Sequence, residues 1–287
     1  MKKKVLSVLL AAACVLSMAA CGSKKDDSSD GPVTAKVIDI DLTDEEYAFG
    51  VDKTQPELLD SVTAFIKEIK DNGTFDEICN HYFGDGTPVA VTSAALDDSK
   101  DQLLVATNAA FEPFEYMQGE SYYGIDMEIA AALAQYLGKE LVIQNMDFDA
   151  VCLSVGQQKC DIAMAGLTVR EDRKEYVNFS DSYYSASQKL IVLSDDTEFD
   201  SCKTADDVAA LLAAKDASVK VGVQTGTTGQ LYVEGDAEWG FPGLTAEGVG
   251  YKNGSLAVQD LLNGNIQYVI IDSAPAICIT EAINKMQ

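Results

Sequence analysis

Histidine occurs once, as His81, and no Cys-x-x-Cys pair occurs anywhere in the 287 residues. A single histidine leaves no Ser-His-Asp or Cys-His set to assemble, and a structural zinc site lacks ligands. Positive charge is also scarce: 21 Lys and Arg stand against 46 Asp and Glu, a formal net charge of −25. Nothing in that balance would neutralise phosphates, so a nucleic-acid partner is excluded. The glycine-threonine stretch VKVGVQTGTTG carries neither the Walker lysine nor a G-x-G-x-x-G pattern, so it is not a phosphate loop of either kind. The uncharged apolar run from Val5 to Ala20 is shorter than the ~20 residues a membrane-spanning helix needs. Beyond Cys14 and Cys21 five cysteines remain, Cys79, Cys152, Cys160, Cys202 and Cys278. They read as small buried hydrophobes rather than a disulfide framework, although Cys152 and Cys160 are near enough in sequence to pair.

What is present begins with a leader. A positive MKKK precedes the apolar run, Ala19-Ala20 precede Cys21, and the polar stretch GSKKDDSSDGP follows. This resembles a bacterial lipoprotein signal. The resemblance implies a signal peptide at 1–20, an acylated Cys21, and a tether over 21–35 holding the protein on the outer face of the cytoplasmic membrane. The other readings, an ordinary secretory leader or an uncleaved anchor, also export the chain.

The stretch Thr54–Gly84 reads as two helices with little in front of them to pack on. Thr54 and Glu57 have capping-box spacing, and Leu58, Val62, Phe65 and Ile69 make an apolar stripe. Asn72-Gly73 stops the first helix and Thr74 opens the second. From residue 102 the chain alternates strand and helix: LLVAT, GIDMEIAAALAQYLG, ELVIQN, FDAVCLSVGQ, DIAMAG, EDRKEYV, QKLIVL, TADDVAALLAAK, VKVGV, GTTGQLYVEG, GSLAVQDLLNG, YVIID and SAPAICITEAINK. Apolar strand runs separated by helices predict parallel sheets covered on both faces, and the number of units predicts two α/β lobes.

Ligands of such sheets bind beyond the strand carboxyl ends. Arg173, after DIAMAG, either grips a carboxylate or pairs at the surface with Glu171 or Asp172. Asp272, where YVIID meets a helix, either binds a cation such as an ammonium group or caps the helix. Thr227 and Thr228 frame a turn whose N–H groups and hydroxyls accept anions, or form a plain strand-to-helix turn. Gly166 and Thr168 add neutral hydrogen bonds. Asn108, Phe111 and Phe148 wall a pocket or join the core.

Taken together, TNAAFEPFEY, GIDMEIAAALAQYLG, CDIAMAGLTVREDRKEYVNFSDSYY, VGVQTGTTG and YVIIDSAPA resemble, in family order over 102–287, the family 3 extracellular solute-binding proteins, the amino-acid receptors of ABC importers. The resemblance implies a two-lobe periplasmic-binding-protein (type II) α/β fold without cofactor or metal. It also implies a monomer whose partners are a free amino acid and an ABC permease. It assigns the ligand carboxylate to Arg173 with Thr227 and Thr228, and the amino group to Asp272 with Gly166 and Thr168, with Ala165 among the ligand-binding residues. The side chain falls to Phe111, Phe148, Asn108 and Gln224. Related receptors for cationic ligands commonly carry an aspartate where Asn108 stands, which points to a polar uncharged or aromatic amino acid, while the overall negative charge pulls the other way, toward Lys or Arg.

Family members end in a strand, a crossing strand like EEYGIAV and a two-helix close; here that ending stands at residues 36–84, in front. The expectation is a circular permutant: lobe one at 47–192 with a connector at 85–100, and lobe two at 36–46 plus 193–287. The alternative is a remnant of a neighbouring gene copy. Surface termini tolerate such relocation, and it predicts that Lys36 and Gln287 lie close. Binding without turnover is expected; the competing reading is a dehydratase-like enzyme on the same fold with Glu112 as its acid.

Overall fold

The computed structural model describes residues 31–287, of which Val33–Gln287 form one compact unit. The expected signal peptide, Cys21 and most of the tether lie outside the described residues. In chain order the elements are β1 (Ala35–Ile38), β2 (Glu45–Tyr47), β3 (Gly50–Asp52), α1 (Pro56–Asp71) and α2 (Thr74–Phe83). Then come β4 (Gln102–Thr107), a meander of β5 (Ala110–Phe111), β6 (Glu115–Gln118) and β7 (Ser121–Tyr123), α3 (Ile125–Leu137) and β8 (Glu140–Asn145). A 3-10 turn at Phe148–Ala150 enters α4 (Val151–Gly156), followed by β9 (Ile162–Ala163), α5 (Glu171–Lys174), β10 (Val177–Phe179), β11 (Tyr184–Ala186) and β12 (Gln188–Leu193). The last stretch holds α6 (Ala205–Ala213), β13 (Lys220–Gln224), α7 (Thr228–Glu234), β14 (Glu247–Tyr251), α8 (Gly254–Leu262), β15 (Tyr268–Asp272) and α9 (Ser273–Asn284).

Two five-stranded sheets organise these elements, ordered β10-β3-β9-β4-β8 and β1-β12-β15-β13-β14. The parallel pairs β4–β8 and β13–β15 are apolar on both faces and sandwiched by helices, which explains their unbroken Val, Ile and Leu runs. A two-stranded ribbon of β2 and β11, with Tyr47 opposite Tyr184, lies where the chain passes between the sheets. The carboxyl ends of β4, β13 and β15 bring Thr107, Gln224 and Asp272 to the region where both sheets face each other's loops.

The front segment is woven into both sheets. β1 pairs with β12 from Ala35↔Leu193 to Ile38↔Leu190, and β3 sits in the interior of its sheet between β10 and β9. Val62, Phe65, Ile66 and Ile69 of α1 are buried in the same core as Leu103, Ile129 and Leu133, which answers what the helical hairpin packs on. Asn284, at the end of α9, accepts from the Ala35 N–H at 3.0 Å and donates to its carbonyl at 2.8 Å. The connector 85–100 is pinned rather than loose: Val91 exchanges backbone bonds with Tyr122 at 2.8 and 2.9 Å.

Two expectations need correction. QKLIVL, assigned from sequence to the end of lobe one with the crossing at 193, is β12 and pairs with β1 and β15 in the other sheet. An apolar run reads the same in either sheet; only its partners decide. The Thr54–Glu57 capping box does not form: α1 starts at Pro56 after Gln55, and the Thr54 hydroxyl donates to Asp52 at 3.0 Å. Proline fixes the first helical turn one step later than the capping pattern suggested. Finally, β14 and the β5–β7 meander were not anticipated. β14 reads EGVGY, too glycine-rich to look like a strand.

Candidate functional site

The sequence holds two arginines, Arg170 and Arg173, and both are buried beside one carbonyl. Arg173 is 6% exposed. Its guanidinium donates to the Thr168 carbonyl at 2.8 Å and to the Gly226 carbonyl at 3.1 Å, and lies 5.2 Å from the centre of the Phe148 ring. Among the described residues it has no carboxylate partner, so the surface pairing with Glu171 or Asp172 does not occur. Arg170 takes Asp172 instead, at 3.0 and 2.5 Å, and reaches Gly226 O at 3.2 Å. Burial is the largest influence on Arg173 and lowers its pKa; Arg170 lowers it further, while Asp172 and Asp272 oppose this. A guanidinium held on two backbone oxygens keeps its full charge available for an anion. Beside it lies a small cavity of about 130 Å³, lined by Phe148, Cys152, Arg170, Arg173, Tyr176 and Gly226.

Asp272 ends β15 and occupies the cap position of α9, yet its side chain makes no capping bond. It is 4% exposed and accepts from the Tyr47 hydroxyl at 2.5 Å. Burial pushes its pKa up to about 7, the charge of Glu45 adds to this, and the Tyr47 hydroxyl pulls it down. Glu45 is buried too. It accepts from Thr43 at 2.6 Å, from Gln188 at 3.0 Å and from the Thr168 hydroxyl at 2.7 Å. Gln188 stands opposite Asp272 in the β12–β15 register. Thr168 reaches toward both ends: its carbonyl serves Arg173, its hydroxyl serves Glu45, and its backbone bridges Tyr47, whose hydroxyl holds Asp272.

The remaining expected residues divide. Asn108 and Gln224 meet: the Gln224 amide donates to Asn108 Oδ1 at 3.0 Å, and Asn108 donates to the Met146 carbonyl at 2.7 Å. Gln224 Oε1 and the Thr228 hydroxyl are buried without a partner, an arrangement that is expensive unless a ligand or water completes it. Thr227 is spent on structure, accepting from Gln230 N–H at the start of α7 and donating to Gln224 O at 2.7 Å. Ala165 is fully buried. Gly166 has φ +54, and a Cβ there would meet the Phe111 ring at 3.0 Å. Its N–H donates to Asp126 at 2.9 Å, so Gly166 shapes the backbone rather than offering that donor. Phe111 packs into the core beside Phe114, whereas Phe148 stays partly exposed over Arg173. Glu112 lines a different groove, of about 390 Å³, with Tyr116, Gln259 and Ile279. Among the described residues no group of His, Cys, Asp and Glu could hold a metal ion, and the five described cysteines are free thiols.

Sequence reasoning missed Glu45, Tyr47, Gln188, Glu115 and Asp126. Glu115 is fully buried with both oxygens unpartnered, and burial with nearby Asp126 and Asp272 holds its pKa well above the usual range. The run EEYAFGV did carry a signal for the first two, because adjacent acids inside a short apolar strand are costly unless they serve something.

Two α/β sheets with a buried cation and a buried carboxylate held between their strand ends define a two-lobe, type II receptor fold for a small solute. The chain belongs to the bacterial extracellular solute-binding proteins, family 3, whose profile matches residues 103–269. It is 33% identical over 109 residues to an arginine-binding extracellular protein of Bacillus subtilis (strain 168), covering 38% of this chain and 43% of that relative. This chain thus spans less than half of that relative's length in the match. Among solved structures, an ancestral arginine-binding protein bound to arginine superposes with TM-score 0.54 at 32% identity, covering 64% of this chain and 75% of that one. An ancestral amino acid-binding protein, a precursor of cyclohexadienyl dehydratase, superposes with TM-score 0.53 at 29% identity over 64% and 75%. No described helix is long and apolar enough to cross a membrane.

Proposed function

We propose that the protein binds one free amino acid between its lobes, with Arg173 on the α-carboxylate and Asp272 on the α-ammonium, and delivers it to an ABC permease. The observation that carries this reading is the pair of buried opposite charges, neither neutralised by an ion partner, linked through the bridge between Thr168 and Tyr47. A zwitterion supplies what each lacks. Its carboxylate replaces the two carbonyls on Arg173, and its ammonium takes the Asp272 oxygen that Tyr47 leaves. Bridging contacts of this kind favour closure because they exist only when both lobes meet the ligand. Gln224 Oε1, Asn108 and Phe148 suit a polar uncharged or aromatic side chain. The overall negative charge favours a cationic one as the second reading. The sheet β10-β3-β9-β4-β8 with its helices would form lobe one, the other sheet lobe two, and β2 with β11 the hinge.

The same reading makes the chain a circular permutant, lipid-anchored through Cys21 on the outer face of the cytoplasmic membrane. Support for the permutation comes from the Ala35–Asn284 bonds between the two ends of the fold and from the interior place of β3. Support for the anchor is the leader sequence alone. Binding without turnover is favoured over dehydration because Glu112 lines a groove separate from Arg173 and Asp272. A thermal-shift panel of the free amino acids tests the ligand. A true ligand at 100 times its Kd adds ~2.7 kcal/mol of stability. No shift with any of them contradicts the reading, and consumption of the ligand on long incubation replaces it with the enzyme.

A further inference from the structure

Tyr47 lies outside the family-matched stretch and outside the residues expected to touch ligand, yet its hydroxyl bonds Asp272 Oδ1 directly. We propose that Tyr47 is a positioning residue for Asp272: its hydroxyl engages Oδ1 and leaves Oδ2 free and correctly turned for the ligand's ammonium group. The inference rests on the reading of Asp272 as the ammonium site.

The hydroxyl is rigidly placed. Tyr47 is fully buried, and its ring contacts Phe114 edge-on at 5.1 Å and Tyr184 at 5.8 Å. Its backbone is fixed by pairing with Tyr184, by a bridge to Thr168, and by accepting the Tyr183 N–H at 2.9 Å. Every fixed point comes from a neighbouring strand or from the turn after β9, so the hydroxyl cannot swing away without disturbing the β2–β11 ribbon. The Asp272 carboxylate, by contrast, is free of helix capping and needs an orienting partner.

The charges around Asp272 make that partner matter. Glu45 on β2 and Glu115 on β6 oppose its ionisation, and Arg173 on α5 is the cation that acts in the other direction. A phenol can only donate to an ionised carboxylate, and such a bond favours the charged form. The pKa of Tyr47 itself lies well above the usual value, mainly through burial, so it remains a donor throughout the physiological range. Without the hydroxyl, burial and Glu45 are opposed more weakly, by Gln188 and Arg173, and Asp272 holds its proton to higher pH. A protonated Asp272 cannot attract an ammonium group.

Tyr47→Phe keeps the ring packing and removes only the donor. In the ligand-free protein, carbon-13 carboxyl NMR follows Asp272, assigned by its loss in Asp272→Asn. The midpoint is expected near neutrality in the parent and about one unit higher in Tyr47→Phe. Calorimetry with L-arginine and L-glutamine as probes should then show binding about tenfold weaker in the variant at pH 6, converging on the parent at pH 8.5. A midpoint unchanged in Tyr47→Phe overturns the proposal whatever the binding result. If the parent binds no free amino acid, the amino-acid reading fails separately. Should Tyr47→Phe not fold, 3-fluorotyrosine at position 47, a stronger donor of nearly the same size, must lower the Asp272 midpoint; no change again overturns the assignment.

Discussion

The two ends of the candidate site are made from different materials. At the Arg173 end the guanidinium donates only to backbone carbonyls, Thr168 O and Gly226 O, and both ligating stretches lie within the family-matched residues 103–269. At the Asp272 end the influences are side chains: the Tyr47 hydroxyl and the Glu45 charge, both from the front segment, and Gln188 of β12. The contrast teaches how each end would respond to ligand. Neutral carbonyls are weak competitors for a guanidinium, so an arriving carboxylate displaces them readily. In the proposed grip a phenol packed against Phe114 and Tyr184 is not displaced, so Asp272 would offer the ligand only its other oxygen. The front segment thus supplies core and, in the proposed grip, would supply chemistry as well.

Removing residues 33–84 strikes hardest at that contrast. It takes away β1 and the interior strand β3 together with α1 and α2, splitting a sheet. The expected outcome is loss of cooperative thermal unfolding by circular dichroism; a truncated chain that still melts sharply and binds ligand would show the front segment to be dispensable. Next comes Arg173→Ala, expected to weaken ligand binding by ~3–5 kcal/mol in calorimetry, because the ligand carboxylate is left desolvated and unpaired. Retained affinity would remove the Arg173 end from the site.

Asp272→Asn is expected to be milder, ~1.5–3 kcal/mol of binding, since a charge-assisted bond becomes a neutral one. It also sharpens the pH behaviour. Asp272 and Asp126 both have folded pKa values raised to about 7. Between their unfolded values and about 7 the folded state holds more protons than the unfolded one, so their contribution to stability declines as pH rises through that window. Ligand binding runs the opposite way, strengthening as Asp272 ionises. Denaturant titrations from pH 4 to 8 should therefore give a shallower decline for Asp272→Asn than for the parent; identical slopes would remove Asp272 from the titrating set. The smallest effect is expected at Lys252, whose exposed pairing with Asp147 at 3.1 Å joins loops of the two sheets. Lys252→Ala should change binding by no more than ~0.5 kcal/mol, because solvent screens such a pair. A larger loss would mean that closure depends on rim charges rather than on the buried pair.

Much of this was legible along the chain. The helix from Ile125 to Leu137 with its glycine stop, and the strands ending at Gln224 and Asp272, follow from apolar periodicity and capping. The choice for Arg173 between surface pair and buried ligand group was not legible from spacing alone, because Arg170 stands equally near Asp172 and takes it. Nor could local pattern find Tyr47: its bond to Asp272 spans 225 positions. The same limit explains β12, whose composition suits either sheet and whose partners, β1 and β15, lie at opposite ends of the sequence.

The most direct test is a crystal structure of the protein grown with the amino acid that gives the largest thermal shift. The ligand's α-carboxylate should lie within hydrogen-bond reach of the Arg173 guanidinium, with Thr168 O and Gly226 O released. Its ammonium group should meet Asp272 on the oxygen opposite Tyr47. A ligand seated away from both groups, or one with its ammonium turned toward Arg173, would contradict the proposed grip.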